Sequence, residues 1–359
     1  METIAQKRVE VTVGVPELTI GLDVGDRISQ ACVLNAQGEV VKREAVRTTA
    51  PALAKWFAKY PGARVVLEVG MHSPWISRLL GGVGLEVIVC NSRKVALITK
   101  NIRKNDRVDA ELLARLGRVD PALLSPIQHR SAKAQTDLTL LHSRDALVRS
   151  RARLINHVRG VVKSIGGRVP SCSAHCFFRK APKYLPAELA DALSPVLRHI
   201  GSLTASIRKF DYQIEQMCRF AYPDTARLRQ VRGVGPITAL AYVLILDDPH
   251  RFKKSRSVGA YVGLVSRQHD SSDSQPQLRI TRAGSPLLRR LLVGDAQYIM
   301  GPFGKDCTLR RYGQAIAMKG GKNARKRAAV AVARKLAVLL HRLWIDGTDY
   351  DDVQSRRVA

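Results

Sequence analysis

The sequence predicts an α/β domain at the N-terminus, followed by long basic helices and a mostly helical C-terminal region. Three observations lead to this prediction. Strand-like apolar segments fill residues 18–46, and strands then alternate with helical segments up to about residue 120. The rest of the chain repeats apolar residues at helical spacing. A chain of 359 residues is long enough for two or three domains with their own cores.

The first three strands are predicted in LTIGLDV, RISQACVLN and EVVKREAV, with a turn at Asn35–Gly38 before the third. A helix is expected over residues 50–60, a short buried strand in RVVLEV (64–69), a helix in SPWISRLLGG and a strand in LEVIVC (85–90). A further helix begins at Asp106. This order indicates a mixed sheet covered by helices, in the strand order of the RNase H-like fold.

Two long helical segments follow. The first, over residues 131–166, has apolar residues at helical spacing among many arginines: Leu140, Leu147, Leu154, Val158, Val161 and Ile165. The second has a heptad seam of Leu193, Val196, Ile200, Leu203, Ile207, Phe210, Ile214 and Met217. A helix packed inside its own domain would explain this seam, but we favour a coiled-coil arm or a dimer contact.

Charge points to the class of partner. Lys and Arg number 59 against 30 Asp and Glu, a net charge of +29 that is spread over the chain. Such a field binds polyanions, and nucleic acid is the expected partner. The apolar run 237–246 is too short to span a membrane, and no secretory signal is evident. The pair Cys172 and Cys176, with His175 between them, lacks a second ligand pair, so zinc is not predicted. A cytoplasmic location is expected.

Two acids begin the helix in KNDRVDAELLARL. Asp106 is a good N-cap, and Asp109 stands where a capping box places its acid. Alternatively, acids three residues apart share a helix face and could help to hold a divalent metal. That interpretation needs further acids from elsewhere in the chain.

Two more acids end predicted strands. Asp23 closes the first strand in GLDVGDR, and Glu68 closes the fourth in VVLEVG. In the expected strand order the middle of the first strand lies beside the end of the fourth, and the helix of Asp106 and Asp109 can pack next to both. Four crowded carboxylates repel one another unless cations lie between them. Hard oxygen ligands suit Mg²⁺, with Mn²⁺ as the alternative, and two such ions can support phosphoryl displacement.

Basic groups in the C-terminal half are candidates for nucleic-acid contact. The turn containing Arg232, Gly233 and Gly235 resembles a helix-hairpin-helix turn, where glycines let backbone N–H groups approach a phosphate. An ordinary tight turn between helices is the alternative. Further on, four side chains are predicted phosphate contacts, because guanidinium forks match phosphate oxygens: Lys254, Arg267, Arg279 and Arg282.

Over about residues 18–345 the chain resembles the insertion sequence 110 family of DEDD transposases, bridge-RNA-guided DNA recombinases. The motifs are GLDVGDR, LEVG, NDRVDAELLARL and GAYVGLVSRQHDSSDSQPQLRITRAGSPLLRRLL. The resemblance implies that Asp23, Glu68, Asp106 and Asp109 are the metal-binding set. It also places the nucleophilic serine at Ser271, with the neighbouring Ser272 as the alternative. Asp26 and the segment VGMHSPW depart from the usual family residues, and Trp75 could take the family's aromatic position.

The expected architecture therefore has a tail (1–17), a RuvC-like domain (18–125), a basic helical arm (126–222), a C-terminal domain carrying Ser271 (223–345) and a tail (346–359). The implied function is strand exchange during transposition, with donor and target DNA, a structured guide RNA and dimers that assemble to a tetramer as partners. One alternative is a structure-specific nuclease acting by two-metal hydrolysis. Another is a non-catalytic nucleic-acid-binding protein, in which the acids are caps and turns.

Overall fold

The computed structural model describes residues 16–91, 106–268, 274, 276 and 278–352; in the helix that begins at Asp106, the side chains of residues 106 and 107 are not described. The chain divides into two compact units, Met1–His129 and Arg130–Ala359. The boundaries predicted for an arm and a C-terminal domain inside the second unit stay predictions.

The first unit is built on a five-stranded sheet. Its strands are β1 (Leu18–Asp23), β2 (Ile28–Asn35), β3 (Val40–Arg47), β4 (Arg64–Glu68) and β5 (Glu86–Cys90), in the order β3-β2-β1-β4-β5. The pairs β1–β2 and β2–β3 are antiparallel, whereas β1–β4 and β4–β5 are parallel. The predicted mixed sheet and its five strands are thus confirmed.

Helices cover both faces of this sheet. Helices α1 (Ala50–Phe57) and α2 (Ser73–Gly82) pack on one face, where Leu22 and Leu67 join their apolar side chains in a buried cluster. Helix α3 (Asp106–Val119) packs on the other face, where Leu113 meets Val66. Since side chains alternate along a strand, each strand contributes to both cores.

Glycine at position 21 brings α3 close to the sheet. A methyl group on Gly21 would overlap the Ala110 carbonyl and crowd the Ala114 nitrogen. Gly117, in the last turn of α3, lies similarly close to Val66. Because neither contact leaves room for a side chain, these glycines fix the height and position of α3 over β1 and β4.

The second unit begins with two long antiparallel helices, α4 (Ala132–Ser164) and α6 (Ala187–Gln216), linked through the short α5 (Phe177–Lys180). Arg144 lies against Asp211, and Arg151 donates to Thr204 (3.3 Å). None of the predicted seam side chains of α6 is exposed, and Leu193 and Ile200 pack in one core with Val158 of α4. The same chain therefore buries this seam, as the alternative of internal packing required.

The stripe predicted for α4 is displaced. Of its six apolar residues only Val158 is buried, and Ile165 is exposed. The buried positions of α4 are instead Ala134, Leu138, Leu141, Ile155, Val158 and Val162. The choice of stripe is therefore set by what α4 packs against, which helical spacing alone does not determine.

The remaining helices surround one apolar helix, and their bounds are α7 (Asp224–Leu228), α8 (Pro236–Leu246), α9 (Arg256–Tyr261), α10 (Pro286–Met300), α11 (Thr308–Met318) and α12 (Ala324–Asp346). Every residue of α8 from Thr238 to Leu246 is buried, which explains its continuous apolar run. The mostly helical C-terminal region is confirmed. Among the described helices, none combines the length and apolarity needed to cross a membrane.

Candidate active site and nucleic-acid interface

Two of the predicted metal ligands lie side by side at the carboxyl ends of two interior strands, a place that we call the carboxyl edge of the sheet. Asp23 ends β1 and Glu68 ends β4, and both are half-buried. The parallel register pairs Leu22 with Leu67, so the two acids are the next residues along adjacent strands. The two acids are thus neighbours, as predicted, although the end of β1, and not its middle, lies beside the end of β4.

These acids lie on the face of the sheet that α3 covers. Leu22 and Leu67 belong to the opposite core, and alternation places the residues after them on the α3 face. Cys90, the register partner of Glu68, packs on that face with Leu113. Burial raises the pKa of Cys90 to about 12, and the nearby charge of Glu68 acts in the same direction.

Helix α3 brings a third acid to the same end of the sheet. Arg64, at the start of β4, donates to the carbonyl of Gly117 near the end of α3 (3.0 Å). The helix therefore runs opposite to β4, and its first turns lie toward the carboxyl end of that strand. Asp109, in this first part of α3, is 8% exposed.

One oxygen of Asp109 is an orphan. Its Oδ1 is buried and has no hydrogen-bond partner among the residues that the structure describes. A buried carboxylate oxygen without a partner is costly unless a donor or a cation satisfies it. Oxygen donors of this kind match the ligands that Mg²⁺ prefers, so Asp23, Glu68 and Asp109 suit a divalent cation in chemical type.

The complete four-acid set is not visible in the structure. Asp106 is the first residue of α3, but its side chain lies outside the described residues. Among the described side chains, no three His, Cys, Asp or Glu groups are gathered closely enough to hold a metal ion. The metal role of the four acids therefore remains a prediction, and so does the alternative in which Asp106 caps the helix.

Asp26 and the segment VGMHSPW, which differ from the usual family residues, are in contact with each other. The indole N–H of Trp75 donates to His72 Nδ1 (3.0 Å), which leaves the proton of a neutral His72 on Nε2. That nitrogen faces Asp26 Oδ1 at 3.3 Å. The segment after β4 and the segment after β1 are therefore tied together by Asp26, His72 and Trp75.

The segment expected to carry the nucleophile is closed at its base by backbone pairing. Arg267 N donates to Arg279 O and Thr281 N donates to Val265 O, both at 2.9 Å, around an antiparallel bridge of Ser266 with Ile280. We call this pairing the neck. Ser271, between its two sides, lies outside the described residues.

Behind the neck the chain turns tightly. Gly263 and Gly284 have positive φ values of 72° and 64°, and side chains at these positions would overlap the backbone of Ala283 and Tyr261. Arg282 also has a positive φ, of 57°, which is strained for a residue with a side chain. Arg289 steadies this turn, because its Nη1 donates to Val262 O (3.0 Å) and Ala283 O (2.6 Å).

The glycines of the predicted helix-hairpin-helix turn differ in their surroundings. Gly233 has a φ of 97°, and a methyl group there would come within 3.0 Å of Ile299 and 3.2 Å of Tyr298. Gly235 is the N-cap of α8 and has open space around it. Packing and backbone conformation thus explain Gly233, whereas Gly235 leaves the helix N-terminus approachable. Arg232, Lys254, Arg267, Arg279 and Arg282 are all exposed.

A cleft of about 1070 Å³ adds basic residues that the sequence did not single out. Arg279 and Arg282 line it, as predicted for a phosphate contact surface, but Arg232, Lys254 and Arg267 do not. The added residues are Arg256, Lys319, Lys326, Arg327, Arg334 and Lys335. A usable signal was present, since Arg327 and Arg334 are seven residues apart and so share a helix face.

Comparison with known proteins gives this geometry a context. A family model described as "Transposase", of the DEDD IS110 type, matches residues 20–166. A second model, "Transposase IS116/IS110/IS902 family", matches residues 225–306. The first match contains the acid-bearing sheet and α3, and the second contains the turn at Gly233 and the neck.

Individual proteins resemble the chain over most of its length. The transposase for insertion sequence element IS1111A of Coxiella burnetii is 28% identical over 89% of this chain and 88% of its own. The transposase for IS1328 of Yersinia enterocolitica is 28% identical over 79% of this chain and 85% of its own. A pilin gene-inverting protein of Moraxella lacunata is 25% identical over 66% of this chain and 64% of its own.

A mixed sheet with neighbouring carboxylates, joined to a basic helical region with these matches, defines a DNA transposase. The chain belongs to the IS110 family of insertion-sequence transposases.

Proposed function

We propose that this transposase cuts and exchanges DNA strands through a phosphoserine intermediate at Ser271, assisted by a divalent cation on Asp23, Glu68, Asp106 and Asp109. The observation that carries the proposal is the carboxyl edge of the sheet. There, Asp23 and Glu68 are neighbours and the buried Asp109 Oδ1 has no partner among the described residues.

The fold supports an RNase H-like domain of the RuvC type. The strand order β3-β2-β1-β4-β5, with three antiparallel strands followed by two parallel ones, agrees with that assignment. It also explains why acids from three distant parts of the sequence belong together, because ligand sites in open α/β sheets lie beyond the carboxyl ends of strands.

The acids and the cation have separate tasks. The four carboxylates would hold Mg²⁺, or Mn²⁺ in its place, and Asp109 is a buried member of this set. The bound cation would stabilise negative charge that builds up on the phosphate during displacement. Without the cation, the carboxylates would repel the DNA backbone. A bound cation therefore makes these acids compatible with DNA binding by a chain of net charge +29.

The serine supplies the covalent step. Its oxygen forms a bond to phosphorus while the bond to one DNA strand breaks, and the oxygen of the departing strand takes up a proton. The hydroxyl of an exchanging strand then attacks the phosphoserine and releases Ser271. Because each step replaces one phosphoester bond by another, the exchange needs no ATP.

The partners follow from the charge and the family. Donor and target DNA are the substrates, and a structured guide RNA chooses them by base pairing while the protein contacts backbone and shape. Arg232, Gly233, Gly235, Lys254, Arg267, Arg279 and Arg282 are the proposed contacts to these nucleic acids. Strand exchange needs more than one active site, so dimers that assemble to a tetramer in the cytoplasm are proposed.

A hydrolytic nuclease that uses the same acids with water is the second candidate. The relative named as a pilin gene-inverting protein favours exchange, because inverting a gene requires that cut strands be joined again. Hydrolysis alone would leave the strands cut.

A strand-exchange assay with purified protein, DNA carrying the element's ends and the adjacent non-coding RNA tests the proposal. Ser271→Ala should abolish joined products, whereas Ser274→Ala, a change in the same loop, should retain them. Omitting the RNA tests guidance separately. Full exchange by Ser271→Ala would overturn the serine mechanism, and loss restricted to Ser272→Ala would move the nucleophile by one residue.

A further inference from the structure

The cleft of about 1070 Å³ lies against the neck of the segment that carries Ser271. Ser266 and Arg279, from the two sides of the neck, line it together with Ile280. Helices α11 and α12 form its other walls, through residues such as Tyr312 and Arg327. Whatever fills this cleft is therefore held next to the base of the predicted catalytic segment.

All the charged side chains that line the cleft are basic. They number eight, two from the neck and its turn, one from α9 and five from the region of α11 and α12. None of the eight forms a salt bridge with a carboxylate in the described part of the chain. Elsewhere the same unit does pair its cations, as in Arg144–Asp211, Arg229–Glu215 and Arg290–Asp145.

One of these eight cations, Lys335, is half-buried. Desolvation lowers the pKa of Lys335, whose ammonium lies 3.8 Å from the centre of the Tyr312 ring. Cations that no carboxylate of the described residues neutralises are available to bind an anionic ligand.

The floor of the cleft is apolar. Leu264, Leu309, Ile316 and Val338 line it beneath the cationic rim. A ligand that fits must therefore carry several negative charges and also present flat or apolar surface. Single-stranded nucleic acid has both, since its phosphates and its unstacked base faces are accessible at once.

We propose that this cleft binds a single-stranded segment of the DNA strand next to the phosphate that Ser271 attacks, with phosphates on the cations and bases on the apolar floor. The assignment rests on the proposed function, because it takes its position from the serine segment. A duplex keeps its base faces stacked and paired, so it offers no flat apolar surface to the floor of the cleft. An acidic peptide would also match the charge of the cleft. We favour DNA because the family to which the chain belongs acts on DNA.

The charge of the cleft is tested by fluorescence anisotropy with a labelled single-stranded DNA oligonucleotide, using the full-length chain in EDTA. Lys326→Gln with Arg327→Gln removes two exposed cations of the rim. The matched control, Lys322→Gln with Arg325→Gln, removes two exposed cations near the start of the same helix that do not line the cleft.

The cleft variant should bind about ten-fold more weakly, and its log–log salt slope should become shallower by about 1.4, since each phosphate contributes about 0.7 on single strands. The control should change affinity less than about two-fold, because it lies outside the cleft. Equal losses in both variants would overturn the proposal, because general charge would then explain the binding. An equal loss of affinity for polyglutamate would assign the cleft to an acidic protein segment.

The source of the strand is tested by photocrosslinking. In the assembled complex of Ser271→Ala protein with DNA and RNA, 4-thiothymidine beside the cleavage position should crosslink to peptides of α11 or α12. Crosslinks to these peptides from thiouridine in the RNA alone would overturn the assignment to DNA. Neither test requires cleavage, so the cleft proposal can fail while the serine mechanism stands. Exchange by Ser271→Ala would contradict the mechanism whatever the cleft binds.

Discussion

The carboxyl edge of the sheet and the cationic cleft carry opposite charges, but both contain polar groups that the described residues leave without an oppositely charged or hydrogen-bonding partner. At the edge, a buried oxygen of Asp109 has no hydrogen-bond partner in the described part of the protein. In the cleft, eight cations lack a carboxylate partner there. Other charges are neutralised inside the chain, as when the buried Arg64 meets Glu86 at 3.0 Å. Charges left uncompensated thus mark the two places where we propose that ligands complete the structure.

The largest effect is expected when the charge of one acid at the carboxyl edge is removed and the shape of its side chain is kept. Asp109→Asn should reduce strand cleavage at least about 100-fold, as the loss of a group that stabilises transition-state charge typically does. The matched control is Glu111→Gln on the same helix, where Glu111 pairs with Arg43 and Arg115 at the surface. Cleavage rates across a Mg²⁺ titration measure the effect.

Each outcome of that experiment has a structural meaning. The control should cleave within about two-fold of the wild type, since surface ion pairs contribute little. If Asp109→Asn cleaved normally, Asp109 would be a structural helix residue, as the capping interpretation holds. Thermal denaturation of both variants checks that lost activity does not come from lost fold.

The cleft side of the comparison is sharpened by salt. Affinity for duplex and single-stranded DNA should fall steeply with salt, with a log–log slope of about −0.9 per neutralised duplex phosphate. Between about 50 and 200 mM salt, six or more phosphate contacts would reduce affinity by about a thousand-fold. Filter binding measures this slope. A salt-independent affinity would contradict a large basic contact surface.

Asp295 is a buried acid that avoids an uncompensated charge by keeping its proton. Burial raises the pKa of Asp295 to about 7, although Thr238 donates to its Oδ1 at 3.3 Å. An unfolded aspartate ionises near pH 4, so the folded state holds this proton more tightly. This contribution to stability is complete below about pH 4 and disappears as the pH rises through about 7.

Asp295→Asn should therefore remove a pH-dependent loss. The variant should match the wild type near pH 4 and exceed its free energy of unfolding by about 1–3 kcal/mol near pH 8, because one pKa unit corresponds to about 1.4 kcal/mol and partial exposure reduces the full value. Urea unfolding at both pH values measures the difference. A constant difference between the two proteins would mean that Asp295 is already ionised at low pH.

The two glycines of the turn before α8 provide the smallest test. Gly233→Ala should lower the free energy of unfolding by about 1–2 kcal/mol, because a positive φ of 97° and contact with Ile299 and Tyr298 both oppose a methyl group. Gly235→Ala should lower it by less than about 1 kcal/mol, since its surroundings are open. Equal losses would show that both glycines have the same structural role. Nucleic-acid affinity should respond mainly at Gly235.

The sequence was sufficient for the sheet because its signals are local. The apolar segments ending at Asp23 and Glu68 each predicted a strand, and the order of elements then placed both acids at one edge. Side-chain spacing could not say which stripe of α4 is buried, since several faces carry leucine or valine. The cleft was missed because Arg279 and Arg334 come together only through the tertiary packing of the neck and α12.

The most direct test of the central claim is to identify the atom that attacks the DNA. Wild-type protein is incubated with DNA, RNA and Mg²⁺ in heavy-oxygen water, denatured, and analysed by mass spectrometry. Strand exchange through serine predicts a DNA adduct on Ser271, no adduct when Asp109 is replaced by Asn, and no heavy oxygen in the joined strands. Cleaved strands that carry heavy oxygen on their phosphates, without any serine adduct, would contradict the mechanism and identify the chain as a hydrolytic nuclease.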